Sequence, residues 1–133
     1  PKGQFGGYNV VNHFIDLARQ GKDLTIYGDG KQVRDYLYID DLVTAFMKAV
    51  DTLTPQNPIF NLGLGKPIKF LDMAKIIIKK IGKGQIKFVK WPKDFESVET
   101  GDYVSDIAKI KKELGFTPKI EFENGVEKAI RGN

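Results

Sequence analysis

The stretch Tyr27-Gly28-Asp29-Gly30-Lys31-Gln32-Val33-Arg34-Asp35-Tyr36-Leu37-Tyr38-Ile39-Asp40-Asp41 sets a glycine turn, a lone arginine, a strand-like run and a helix start in direct succession. Two glycines around an aspartate favour a tight turn, because glycine enters the left-handed backbone region at no steric cost. Tyr36, Leu37, Tyr38 and Ile39 carry the aromatic and branched side chains that fit a pleated strand. Asp40 stands where the next helix needs an N-cap. Arg34 is one of three arginines among 21 basic residues, and it lies between the turn and the aromatic run rather than near a helix end or chain terminus. Its planar fork suits phosphate better than a lysine ammonium does, so the segment reads as a site for a phosphorylated ligand. Spacing alone equally allows Arg34-Asp35 to be a surface ion pair beside an ordinary hairpin.

On either side, periodicity supplies the other elements. Val10, Val11, Phe14, Ile15 and Ala18 share one side of a helix from Asn9 to Gln20 that Gly21 stops, and Leu24 to Tyr27 is a short strand. After the aromatic run, Leu42, Ala45, Phe46, Ala49 and Val50 have the spacing of a buried helical stripe, with Pro55 and Pro58 bounding the exit loop. Ile59 to Leu62 reads as a third strand, and Phe70, Leu71, Ala74, Ile77, Ile78 and Ile81 as another amphipathic helix ended by Gly82 and Gly84. Ile86 to Val89 alternates like a strand, and Pro92 to Tyr103 is polar and irregular. Asp106 is expected to cap a helix bearing Ile107, Ile110 and Leu114, which Gly115 ends, and a last helix is expected from Gly125 to Ile130. The sum is a mixed α/β (α+β) unit of short strands and amphipathic helices over residues 1–133.

Composition narrows the function classes. The chain has 133 residues, 41% hydrophobic and 29% charged, which is within the globular range and long enough for a core without disulfides. With no cysteine and one histidine, His13, it has neither disulfides nor Cys/His metal or nucleophile pairs, so no metal is expected. A reducing cytoplasm is compatible with this and is the expected location. Apolar runs such as Ile76 to Ile78 are far too short to cross a bilayer. The formal charge of +4 is spread by alternation of lysines with acids in Lys48 to Asp51, Lys93 to Glu99 and Lys109 to Glu113. Lys79, Lys80, Lys83, Lys87 and Lys90 are the one basic concentration, and Phe88 and Trp91 nearby sit where a strand would bury them, so nucleic acid is not an expected partner.

Two pattern matches lose their meaning in context. Gly63-x-Gly65 and Gly82-x-Gly84 both lack the third glycine of a dinucleotide fingerprint. Tyr27 and Lys31 have the Tyr-x-x-x-Lys spacing of an acid/base pair, but Gly28-Asp29-Gly30 between them favours a turn over the helix that would align the two side chains. Asp40 and Asp41 are better explained by capping and the helix dipole than by paired-carboxylate chemistry. Asn61 with Gly63 and Gly65 reads as a turn rather than a phosphate cradle.

Leu24-x-Ile26-Tyr27-Gly28-Asp29-Gly30, then Arg34-Asp35-Tyr36-x-Tyr38-Ile39-Asp40-Asp41-Leu42 and Ala45, resembles the carboxy-terminal half of the extended short-chain NAD-dependent sugar-nucleotide epimerases and dehydratases. Phe60-Asn61-Leu62-Gly63-x-Gly65, Asp106-x-x-Lys109-x-x-x-Glu113-Leu114-Gly115-Phe116-x-Pro118 and Glu123-x-Gly125 follow in the family's order. The likeness covers essentially the whole chain and is greatest to the UDP-glucose 4-epimerases. It implies a substrate-binding lobe beginning at Pro1, cut at a domain boundary, with the amino-terminal NAD-binding Rossmann domain absent. The ligand so implied is a UDP-sugar. Arg34 would grip its diphosphate and Tyr27, with Thr25, would lie against the base. Val10 and Val11 would close the pocket, and Asp102 would match an acid that bonds the ribose. Family members commonly carry a second phosphate-binding arginine just before that Gly-Asp, where this chain offers only Lys93. The implied reaction is transient oxidation at C4 by NAD in the full-length enzyme, possible as a homodimer. No catalytic residue and no bound cofactor are expected in this chain, which should be inactive alone. Sugar-nucleotide 4,6-dehydratase, decarboxylase and non-catalytic nucleotide-binding module are the alternatives.

Overall fold

Leu24 and Ile26 alternate with Thr25 and Tyr27, and β1 (Asp23–Tyr27) forms there with the first pair buried. In a computed structural model of the chain, residues 9–52, 59–92 and 101–132 are described. Among them the order continues from α1 (Val10–Arg19) and β1 through β2 (Val33–Arg34), α2 (Ile39–Thr52), β3 (Ile68–Lys69) and α3 (Phe70–Ile81). It ends with β4 (Gln85–Val89), α4 (Ala108–Leu114) and α5 (Phe122–Arg131), giving the mixed α/β class expected from sequence. The described residues fall into two compact units, one of residues 9–31, 69–92 and 126–132, the other of residues 32–52, 59–68 and 101–125.

In the first unit β1 and β4 pair in parallel, in register from Asp23 opposite Gln85 to Tyr27 opposite Val89. Parallel neighbours cannot be joined by a hairpin, and α3 leads directly into β4. The stripes read from sequence are buried: Phe14, Ile15 and Ala18 on α1, and Met73, Ala74 and Ile77 on α3. Leu24, Ile26, Met73 and Ile77 are each 0% exposed, and sealing a side chain of this size contributes about 1.5–3 kcal/mol. Phe14 meets Phe70 edge-on at 5.6 Å. Asn9 caps α1 by accepting the Val11 N–H at 2.9 Å, and Gly82, at φ +76°, ends α3. Phe88 departs from expectation at 55% exposure, because among the described residues its sheet has two strands, too few to cover every face of β4.

The second unit departs further. Residues 35–38 belong to no regular element, and Ile39 already starts α2. The aromatic run is therefore not a strand here: it has strand propensity but pairs with no strand among the described residues, while β2 pairs with β3. Asp40 lies inside the first turn of α2 rather than at its N-cap. Residues 59–62 likewise form no strand. Ala45, Ile110, Leu114 and Phe116 make a small core, flanked by Ala49, Phe60, Leu62 and Ile107. Of the stripe expected on α2, Ala45 is buried, but Phe46 is 62% and Val50 78% exposed. Asp106 accepts the Ala108 N–H at 2.9 Å, and Gly115, at φ +59°, ends α4 as expected. The proline-bounded loop at 53–58, Lys93 and most of the polar 92–103 stretch lie outside the described residues. Among those described, no helix is long and apolar enough to cross a membrane and no group of three or more His, Cys, Asp or Glu could hold a metal.

Candidate functional site

Arg34 sits on β2, and three hydrogen bonds clasp that strand to the segment beginning at Gly101. The Val33 N–H donates to Asp102 Oδ1 at 2.7 Å, the Tyr103 N–H donates to Val33 O at 3.1 Å, and Arg34 Nη1 donates to Gly101 O at 2.6 Å. Nη1 also donates to Val33 O at 2.9 Å. Two residues far apart in sequence, Arg34 and Asp102, are thus brought together. Asp102 is an anchor for the strand bearing the arginine, a role its sequence does not announce. A guanidinium whose Nη1 is already held by two carbonyls loses less side-chain freedom when it meets an anion than a loose one would.

Asp35, next in sequence, faces a different task from the surface ion pair that adjacency suggests. Its carboxylate accepts the N–H groups of Leu64 at 2.9 Å, Gly65 at 3.0 Å and Ser105 at 3.0 Å. The Gly63-Leu64-Gly65 loop therefore cradles a carboxylate of its own chain. These N–H groups do not fit the pyrophosphate of a dinucleotide, because Asp35 already fills them. Gly63 is required by the close approach: a Cβ there would lie 2.1 Å from Asp35 Oδ2 and 2.4 Å from Ser105 Oγ. Ser105 Oγ completes the knot by donating to Leu62 O at 3.2 Å. Asp41 makes a second tie, 4% exposed, accepting the N–H groups of Lys119 and Ile120 at 3.0 and 2.8 Å. Tyr36 packs on Phe122 with ring centroids 5.0 Å apart, and its hydroxyl is buried without a hydrogen-bonding partner among the described residues. Burial pushes its pKa up to about 12, against the opposing charge of Arg34.

The other candidate residues belong to the first unit and are described by themselves. Val10 and Val11 occupy the first turn of α1, both half-buried, and Thr25 and Tyr27 are the half-buried positions of β1. Tyr27 stacks on Trp91 with centroids 5.3 Å apart and planes 28° from parallel. Beyond Tyr27 the chain turns as the sequence dictates, with Gly28 at φ +66° and Gly30 at φ +69°. Gly30 has no room for a side chain, since a Cβ would lie 2.9 Å from Ile26 Cγ2. Lys31 pairs with Asp29 at 2.7 Å rather than serving Tyr27. That hydrogen bond holds the Asp29 carboxyl below and the Lys31 ammonium above their usual ranges, at a fully exposed site. The Tyr-x-x-x-Lys spacing is thus a turn, without helical alignment of the two side chains.

Trp91, Asp35, Ser105 and Gly63 were not singled out as functional by the sequence. The signal for Asp35 was present in its adjacency to Arg34, and for Gly63 in the paired glycines, but their meeting depends on contacts 28 to 70 residues apart in sequence.

The family model for GDP-mannose 4,6 dehydratase matches residues 2–129. UDP-glucuronic acid decarboxylase 1 of Xenopus tropicalis is 31% identical over 131 residues, covering 98% of this chain and 30% of that protein. A putative UDP-glucose 4-epimerase of Methanocaldococcus jannaschii is 32% identical over 131 residues, covering 98% of this chain and 39% of that protein. The crystal structure of UDP-glucose 4-epimerase from Thermotoga maritima, solved with UDP-glucose, superposes with a TM-score of 0.84 at 27% identity. That match covers 96% of this chain and 40% of the other. The chain spans well under half the length of these relatives.

Proposed function

Because the chain belongs to the GDP-mannose 4,6 dehydratase family, among NAD-dependent sugar-nucleotide epimerases, dehydratases and decarboxylases, we propose that it holds the nucleotide of a sugar-nucleotide substrate. The observation that carries this reading is the anchored guanidinium of Arg34, fixed on β2 by Gly101 O and by the Asp102 clasp. A diphosphate needs compact positive charge with directed donors, which such a fork provides. Tyr27 and Thr25 would meet the base, Val10 and Val11 would close the pocket, and Asp102, through the oxygen not engaged by Val33, would meet the ribose. NAD would supply hydride transfer at the sugar from sequence outside this chain. The part played by these residues is to bind and orient, which lowers a barrier elsewhere by fixing the reacting sugar. UDP-glucose 4-epimerisation is the finer reading. Dehydratase and decarboxylase readings have equal support among the relatives, since all three chemistries occur there.

Titration calorimetry of the chain with UDP, UDP-glucose and dTDP tests the proposal. Saturable binding is expected, weakened about tenfold or more by Arg34→Ala, the scale of a lost charge-assisted contact. Arg34→Lys should restore little, because an ammonium lacks the fork. Absence of binding by the unaltered chain, or equal binding by Arg34→Ala, would remove the assignment. The catalytic class is decided by the longer polypeptide: an upstream Gly-x-x-Gly-x-x-Gly and helical Tyr-x-x-x-Lys should accompany the enzyme, and their absence favours a non-catalytic module.

A further inference from the structure

Residues 33–35 and 101–105 meet within the second unit. At one end the clasp joins them, through Val33 to Asp102 and Tyr103 and through Arg34 Nη1 to Gly101 O. At the other end the Ser105 N–H donates to Asp35 Oδ2 at 3.0 Å. Residues 101–105 belong to no helix or strand, so no regular ladder of their own fixes their path. Their place is set from outside, by Val33 at one end and Asp35 at the other. Ser105 is only 5% exposed, which leaves its N–H dependent on a protein acceptor. Asp35 is itself held on its far side by the N–H groups of Leu64 and Gly65. Asp41 offers a comparison within the same unit: it makes the same kind of tie, but to Lys119 and Ile120, outside the clasp.

We propose that Asp35 is a positioning residue for the phosphate-holding arginine: by fixing Ser105 it sets the register of residues 101–105 against β2, and with it the place at which Gly101 O holds the Arg34 guanidinium. The inference rests on the nucleotide-holding role proposed above for Arg34. An acid next to an anion-binding arginine opposes anion binding by its charge alone. Three N–H donors aimed at the carboxylate offset part of that charge, so Asp35 supplies position at a reduced electrostatic cost. Charge and position therefore predict opposite signs: deleting the charge alone tightens the grip on a diphosphate, and losing the tie loosens it.

Calorimetry with pyrophosphate and with UDP, on the unaltered chain and on variants shown by circular dichroism to be folded, separates the two. Asp35→Ala is expected to weaken pyrophosphate binding about fivefold or more, up to the loss produced by Arg34→Ala. Asp35→Asn should stay within about twofold of the parent, because its amide oxygen can replace Oδ2 toward Gly65 and Ser105 and gives up only the bond from Leu64. Both variants delete the same charge, so a purely electrostatic role would move them alike. Asp41→Ala, which cuts a comparable tie, should lose stability without losing affinity. In the Arg34→Ala background, Asp35→Ala should cost no further affinity, since its effect runs through the arginine. In the unaltered chain, pyrophosphate should shift the amide signals of Leu64 and Gly65, which touch Asp35 from the side away from the clasp, and leave those of Lys119 and Ile120 in place. If the parent binds with Arg34 dependence but Asp35→Ala and Asp35→Asn bind alike, or the Asp35→Ala loss persists undiminished without Arg34, or Leu64 and Gly65 do not shift, the positioning role is overturned and the Arg34 reading stands. Failure of the unaltered chain to bind either ligand, or equal binding by Arg34→Ala, removes both. The amide shifts decide the matter even if Asp35→Ala does not fold.

Discussion

Helices α3 and α2 look alike in sequence, each with apolar residues at helical spacing, yet they end in different surroundings. On α3, Met73, Ala74 and Ile77 are each 0% exposed. On α2, Ile39, Val43, Phe46, Met47 and Val50 are 52–78% exposed on one side of the helix, while Asp41 at its start is buried. The contrast extends to the units that contain them. The first is sealed by apolar contact between two helices and two parallel strands. The second is tied by carboxylates to backbone N–H groups, through Asp35 and Asp41, around a smaller apolar cluster. Periodicity in a sequence announces that a helix has an apolar face; it does not say that the cover for that face lies within the same chain. A contiguous exposed apolar face of this kind is uncommon on a self-sufficient domain.

The largest expected effect tests the carboxylate ties. Gly63→Ala forces a Cβ into Asp35 and Ser105, and should cost about 3–5 kcal/mol in urea denaturation. Asp35→Ala should cost about 3 kcal/mol by stranding the three N–H groups it satisfies. If both variants are as stable as the parent, the second unit is not held in this way. Next is the apolar seal of the first unit, where Ile77→Ala should cost about 2–5 kcal/mol, the range for emptying a fully buried position.

How far the sequence foretold this molecule follows the same divide. α1, β1, the Gly28–Gly30 turn, α3 and β4 were legible because their causes are local: apolar spacing, glycine at positive φ, branched residues in alternation. Tyr36 to Ile39 has strand propensity but forms no strand, because propensity acts only when a neighbouring strand supplies hydrogen bonds, and none does among the described residues. Asp41 reads as a helix-dipole residue, while its buried tie to Lys119 and Ile120 lies 78 and 79 residues away. For the candidate site, Arg34 and Tyr27 could be picked out from the turn and the family pattern. The clasp by Asp102 and the stack of Trp91 depend on chain segments meeting, which no local pattern encodes.

A smaller effect concerns Tyr36. Its pKa is raised to about 12 by burial, against about 10 in the unfolded chain. Between these values the folded state retains a proton that the unfolded state releases, so stability should hold below pH 10 and fall as pH rises toward 12. Tyr36→Phe should remove that component of the alkaline loss and be neutral or slightly stabilising at pH 7, since it deletes a buried hydroxyl without a partner among the described residues. A clear destabilisation at pH 7 would mean the hydroxyl is satisfied in solution. The smallest effect is expected on the open side of α2, where Phe46→Glu or Val50→Lys should change stability by no more than about 0.5 kcal/mol. A cost several times larger would mean that this chain does cover the face, and the contrast with α3 would dissolve.

The nucleotide-holding roles proposed for Arg34 and Tyr27 are tested most directly by amide chemical-shift mapping of the chain with two partial ligands, pyrophosphate and uridine. Pyrophosphate is expected to move the signals of Val33, Arg34 and Tyr103, which the clasp links, and to leave Tyr27 and the Trp91 indole in place. Uridine is expected to move Tyr27, Gly28 and the indole and to leave the Arg34 set in place. Shifts absent with both ligands, or assigned to the opposite sets, would contradict the account.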